Sequence, residues 1–239
     1  DRIEATLERL TGPKPLEGRH ALITAGPTRE PLDPVRYLSN HSSGKQGYAI
    51  ARALADLGAR VTLVSGPVAI SAPRGVDLVQ VETARQMMAA CEEALPADVF
   101  ISVAAVADWR PSSQAERKLK LKEEGKGPPA LSLTENPDIL STISGMTAGR
   151  PELVIGFAAE TDAVEENAQR KRVRKGCDWI VANDVSGDVM GGSENEIALV
   201  TDAGIENWPR MGKDAVARQL AERIADNFSG PGKQKVAAE

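Results

Sequence analysis

The residues of this chain most able to do chemistry are gathered between Ile23 and Gly47. The segment leaves a short apolar run, passes Gly26-Pro27-Thr28-Arg29 and Asn40-His41-Ser42-Ser43-Gly44-Lys45, and enters a stretch of helical period at Gly47. A strand, a turn of small residues and a helix start together aim backbone N–H groups and the positive helix end at an anion, the geometry of a phosphate site. The pattern is not a Walker A loop. Ser39 stands where that loop needs glycine, and Gln46 replaces its magnesium-binding hydroxyl. The dinucleotide fingerprint fails as well, because Gly44 and Gly47 supply only its last two glycines. An inert tight turn is the plainer alternative.

Further candidates lie where predicted strands end or helices begin. Arg36 and Asn40 are four residues apart. A guanidinium and an amide can converge on a carboxylate or phosphate whose charge grows in a transition state. An Asx turn and a solvated arginine would leave the same trace, and spacing keeps both open. Asp108 follows Ala104-Ala105-Val106-Ala107 at a strand end, a place for a ribose hydroxyl, a hydrated magnesium ion or a simple cap. Lys118-Leu119-Lys120-Leu121-Lys122 is a protected edge strand or a mobile lid with a triphosphate-binding lysine. In Asn136-Pro137-Asp138-Ile139, Asn136 is the expected N-cap with Pro137 in the first turn. Phe157 suits either the core or a base, and Lys171 and Lys175, one helical turn apart, ordinarily form a solvated face.

These residues need a scaffold, and the chain's 239 residues are enough for one. Apolar runs at His20–Thr24, Arg60–Val64, Asp77–Val81, Val99–Val103, Leu153–Phe157 and Trp179–Ala182 read as strands. Helical periods span Gly47–Leu57, Ala84–Ala94, Pro137–Met146, Ala163–Lys175 and Lys213–Phe228. The alternation predicts a Rossmann-like α/β fold: a mostly parallel sheet with helices on both faces, a basic lid segment, and a C-terminal hairpin of Ile197–Thr201 and Ile205–Trp208. Residues 1–17 read as a charged helix and a Pro/Gly linker, residues 18–228 as the folded domain, and residues 229–239 as a disordered tail.

Composition removes several classes. A formal charge of −5, from 29 basic and 34 acidic residues, gives no basic excess for holding nucleic acid. No apolar run approaches the ~20 residues that span a bilayer. Cys91 and Cys177 form no CxxC pattern, so a cytoplasmic, reducing compartment is the simplest home. His20 and His41 are the only histidines, too few for a multi-histidine metal centre. A short-chain dehydrogenase needs a YxxxK pair; Tyr37 and Tyr48 are followed instead by Asn40-His41 and by Arg52. A nucleotide-sensing module without activity remains a rival.

Taken together, ITAGPTREPLDPVRYLSNHSSGKQG, AAVADWR, KLKLK, NPDIL, GFAAET and KGCDWIVAND, in this order, resemble the phosphopantothenoylcysteine synthetases, the CoaB half of bifunctional CoaBC proteins. The resemblance covers about Gly18 to Phe228. It implies a phosphopantothenate–cysteine ligase that joins 4′-phosphopantothenate to L-cysteine. CTP is the cosubstrate and an acyl-cytidylate the intermediate; CMP and pyrophosphate are released. It assigns Asn40, Arg36 and Lys118 to catalysis, with Asn40 needed to convert the intermediate. The CTP pocket would comprise Gly26, Ser43, Gly44, Ala104, Ala105, Asp108, Lys118, Asn136, Pro137, Asp138, Ile139, Phe157, Lys171 and Lys175, with Mg2+ at Asp108. It further implies a homodimer and a covalently linked decarboxylase half that alone carries FMN.

Overall fold

The computed structural model describes residues 12, 14–119, 130–160, 162–184 and 194–230. Its centre is an eight-stranded sheet. Six strands run parallel: β1 (His20–Ala25), β4 (Arg60–Ser65), β5 (Val76–Gln80), β6 (Val99–Ser102), β9 (Leu153–Glu160) and β10 (Trp179–Asp184). An antiparallel pair, β11 (Glu194–Val200) and β12 (Ile205–Gly212), extends one edge, giving the order β12-β11-β10-β9-β6-β1-β4-β5. β1 is buried along its whole length, as a strand covered on both faces must be, and its sequence is correspondingly apolar.

Among the described residues, five helices cover the sheet. α1 (Lys45–Asp56) and α5 (Lys213–Ser229) lay Ile50, Leu54, Val216, Leu220 and Ile224 on one face, against Ile23, Leu63, Ile155 and Val181. α2 (Ala84–Ala94), α3 (Ile139–Ser144) and α4 (Val164–Lys175) lay Met87, Cys91, Ile143 and Ala168 on the other, against Leu22, Phe100, Val154 and Ile180. This is the expected Rossmann-like α/β architecture. α2 begins with a capping box in which Thr83 and Gln86 satisfy each other's backbone amides.

Chain order reverses beside β1: β4 and β5 follow on one side, and β6 lies on the other. The carboxyl ends of β1 and β6 therefore frame a crevice, the usual ligand site of an open α/β sheet. A β-bridge between Pro27 and Ala105 ties the two strand ends together.

Several expectations change. α1 starts at Lys45 rather than Gly47, because Gly44, at φ 74, makes the left-handed turn into it. Two small hairpins lie outside the predicted strands: β2 (Glu30–Asp33) with β3 (Arg36–Leu38), and β7 (Trp109–Pro111) with β8 (Leu133–Glu135). Lys118 and Leu119 are not in a strand, and Lys120–Lys122 lie outside the described residues. The C-terminal hairpin runs on to Gly212. Ser229 belongs to α5 rather than to a tail; residues 1–11 and 231–239, which hold most of the expected N-terminal helix and tail, also lie outside the described residues.

Candidate active site

A cleft of about 680 Å3 opens over the carboxyl ends of β1, β6, β9 and β10. Gly26, Ser43, Gly44, Ala104, Ala105, Asp108, Asn136, Pro137, Asp138, Ile139, Phe157, Lys171 and Lys175 all line it. Segments up to 149 residues apart in sequence thus meet in one space. Arg36, Asn40 and Lys118 are not among the lining residues.

The cleft wall is built by β1's own extension. Thr24 Oγ1 accepts the Ala104 amide at 3.3 Å, and the wholly buried Thr28 accepts the Ala107 amide on its hydroxyl at 3.0 Å. Between these, the Ala105 amide donates to the Gly26 carbonyl at 2.9 Å. Small side chains keep this wall open to a ligand. The Ala105 carbonyl accepts from the Thr28 amide and from Asn40 Nδ2, while Asn40 Oδ1 accepts the Ser42 amide at 3.0 Å. Asn40 forms the Asx turn and, with the same side chain, locks the phosphate-loop candidate to the β6 turn. It stands directly behind two lining residues, Ala105 and Ser42.

Arg36 sits further out. Its guanidinium pairs with the buried Asp33 carboxylate and donates to the Leu119 carbonyl at 2.8 Å. Lys118 is exposed beside that anchored residue.

On the opposite wall, Asn136 is not the helix cap. Its Nδ2 donates to the Ala107 carbonyl at 2.8 Å, and Asp138 caps α3 instead, accepting the Ser141 amide at 3.0 Å. Asp138 is also paired with Lys175. Burial acts to raise the Asp138 carboxyl, but the hydrogen bonds from Lys175 and Ser141 outweigh it and hold it below its ordinary value. Lys171 donates to the Phe157 carbonyl at 2.8 Å, and burial lowers its ammonium pKa despite the Glu160 charge. The two lysines are therefore site-facing cations rather than a solvated face.

Ser42, Lys45 and Gln46 of the phosphate-site segment also line the cleft, as do Ser102, Asn183 and Lys213, to which the sequence reading gives no site role. Asn183 carried the same signal as Phe157, a residue at the carboxyl end of a strand. Neither histidine joins them: His20 bonds Pro96 and Thr62 at the far end of β1, and His41 is exposed. The cysteines are unsuited to nucleophilic work, since burial pushes Cys91 up to about 12 and raises Cys177. Among the described residues no three His, Cys, Asp or Glu side chains group to hold a metal. A magnesium ion carried by phosphates fits nonetheless, because it needs only one or two protein carboxylates and Asp108 lines the cleft.

With Lys45, Lys171, Lys175 and Lys213 on its walls, the cleft can attract and orient anionic ligands, and among the described residues no cysteine or histidine lines it. "Coenzyme A biosynthesis bifunctional protein CoaBC" of Vibrio vulnificus is 46% identical over 226 residues, covering 93% of this chain and 56% of that protein. The protein of the same name from Escherichia coli is 44% identical, covering 89% and 53%. The chain thus spans about half the length of these curated relatives. A crystal structure of the C-terminal domain of a CoaBC protein superposes with a TM-score of 0.76 at 40% identity, covering 90% of this chain and 97% of that one. Residues 16–228 match the family described as DNA/pantothenate metabolism flavoprotein C-terminal domain, and the chain belongs to it.

Proposed function

We propose that this chain is a phosphopantothenate–cysteine ligase acting in coenzyme A biosynthesis. The observation that carries the reading is one cleft onto which the Gly44–Lys45 helix start, the Ala104–Asp108 turn and the Lys171 and Lys175 ammonium groups all open. The high coverage of a CoaBC C-terminal domain supports it.

In this reading the phosphopantothenate carboxylate attacks the α-phosphorus of CTP and pyrophosphate leaves. The cysteine amine then attacks the acyl-cytidylate carbonyl and CMP leaves. Neither step needs a protein nucleophile, so positioning and charge stabilisation are what the site must supply. The helix start and the lysines bind phosphate oxygens, the small residues of the Ala104–Ala107 turn let the nucleotide approach the backbone, and Asn40 fixes the turn against the phosphate loop. Asp108 would hold a magnesium ion brought with the triphosphate, and that ion would supply neutralisation of charge on the leaving group.

Residues 18–228 form the ligase domain in this proposal. A covalently linked decarboxylase half carrying FMN, which the family resemblance implies, accords with the word bifunctional in the relatives' names. Cytoplasmic residence accords with the two unpaired cysteines and with the lack, among the described residues, of a helix long and apolar enough to cross a membrane. A second copy of the chain is the partner suggested by Val35, Tyr37, Trp109 and Leu133, large side chains left 46–59% exposed on the two small hairpins.

Pyrophosphate release tests the reading: it should require CTP, 4′-phosphopantothenate and magnesium together. CTP binding without turnover, with all three substrates present, would favour a nucleotide-sensing module instead.

A further inference from the structure

β9 and β10 pair in parallel, with Phe157 opposite Val181 and Ala159 opposite Asn183. Side chains alternate along strands, so these four residues share a face, the one on which Phe157 and Val181 pack against the α1 and α5 core. Asn183 and Phe157 are diagonal neighbours there, within reach of an aromatic side chain, and both line the cleft. Ala159, on the same face, contributes only a methyl group.

Asn183 Oδ1 is buried and has no hydrogen-bond partner among the described residues. A buried acceptor left unpaired costs free energy that a donor brought by a ligand would restore. The terminal torsion of asparagine is broad, so the oxygen can turn to meet such a donor at little cost. Phosphate oxygens cannot serve, because they are acceptors themselves. Lys45, Lys171, Lys175 and Lys213 line the same cleft, which disfavours a cationic donor and leaves a neutral N–H or O–H; beside the Phe157 ring, the donor of a stacked base is the N–H.

We propose that Asn183 reads the nucleotide base, its Oδ1 accepting a hydrogen bond from the exocyclic amine of a cytosine lying against Phe157. This deepens the CTP-dependent reading above and rests on it. Uracil would turn a carbonyl oxygen toward Oδ1, acceptor against acceptor, and a site built for a donor rejects such an analogue. Adenine shares the amine, so the discriminating comparison is among pyrimidines.

The test measures pyrophosphate release and, separately, nucleotide affinity by calorimetry. The nucleotides are CTP, UTP and the triphosphate of pyrimidin-2-one riboside, which is cytidine without its amine. The wild type should lose roughly 10- to 100-fold in kcat/KM and in affinity when the amine is removed, the scale of an unpaired buried acceptor. In Asn183→Ala the three nucleotides should fall within about 3-fold of one another, chiefly through loss with CTP. If that variant melts well below wild type, Asn183→Ser, too short to reach the base, should show the same levelling. Equal use of CTP and the amine-free analogue by the wild type overturns the proposal. So does an Asn183→Ala loss that is uniform across the nucleotides, or one confined to the KM for L-cysteine. Failure of the wild type to turn over CTP at all would instead overturn the ligase reading, so the two failures are distinct.

Discussion

Arg36 is clamped on Asp33, its Nε and Nη2 both donating to the same carboxylate oxygen at 2.9 and 2.5 Å. That oxygen also accepts the Leu119 amide at 3.1 Å, and the other accepts the Val35 and Arg36 amides. One buried carboxylate thus closes the β2–β3 turn, orients the guanidinium and anchors the described start of the basic segment. The Arg36 hydrogen bonds hold the Asp33 carboxyl well below its ordinary 3.8, against the opposing effect of burial.

Asp33 should therefore be an acid-sensitive joint. Its folded pKa lies below its unfolded one, so between the two values the unfolded chain binds more protons and stability falls as pH falls. The contribution is complete above the ordinary value and is lost on acidification through the lower, folded one. Asn at position 33 removes the charge at every pH. Asp33→Asn should melt below wild type at pH 7, and the gap should narrow as pH drops below about 3.8. Thermal melts across pH 2–7 measure it; a gap constant over that range would mean that Arg36 does not govern the Asp33 carboxyl.

Lys118 is exposed next to the anchored Leu119 and makes no part of the cleft wall. Loss of its charge should shift stability by less than ~0.5 kcal/mol, as for most surface positions. If the segment closes over bound triphosphate, Lys118→Gln should raise the KM for CTP about 5- to 10-fold, with an unchanged melting temperature. Full activity at limiting CTP would leave Lys118 as a solvated surface lysine.

Asn40 donates to the Ala105 carbonyl through Nδ2, a bond that a carboxylate cannot make. Asn40→Asp sets negative charge against that carbonyl and, in the ligase reading proposed above, near the charge that develops when an amine attacks an acyl-cytidylate. Product formation should fall at least ~100-fold, the scale of a lost oxyanion partner, while cytidylyl transfer continues. Mass spectrometry of quenched reactions should then find the intermediate accumulating. Unchanged turnover without accumulation removes Asn40 from the second step.

The central sheet was legible because parallel strands must be apolar on both faces, so runs such as Ala21–Ala25 and Val61–Val64 mark themselves. The small hairpins were not, because their stability comes from distant partners. Glu30, almost wholly buried, accepts the Ala84 amide across 54 residues of sequence, and no local pattern announces that bond. The cleft followed from small residues at strand ends. The choice of cap between Asn136 and Asp138 did not follow, since either side chain can cap; the Ala107 carbonyl decides by taking the Asn136 amide. Lys171 and Lys175 looked solvated because their i, i+4 spacing pairs them only with each other, whereas their partners lie on β9 and at the start of α3.

Thr28 tests whether the wall behind the cleft controls binding. Its side chain has no exposed surface and its hydroxyl accepts the Ala107 amide at 3.0 Å, one residue before Asp108. Thr28→Val keeps the shape and removes the acceptor, so the Ala107 N–H must go unpaired or the turn must shift. An unpaired buried donor costs ~1–3 kcal/mol. The Thr28 carbonyl still receives Ser39 Oγ and its amide still reaches Ala105, so the β1 extension itself should persist. The expected variant is folded, melts several degrees lower, and has a KM for nucleotide raised more than its kcat is lowered. A melting shift of the same size with unchanged nucleotide affinity would make Thr28 a core residue whose hydroxyl has no bearing on the cleft.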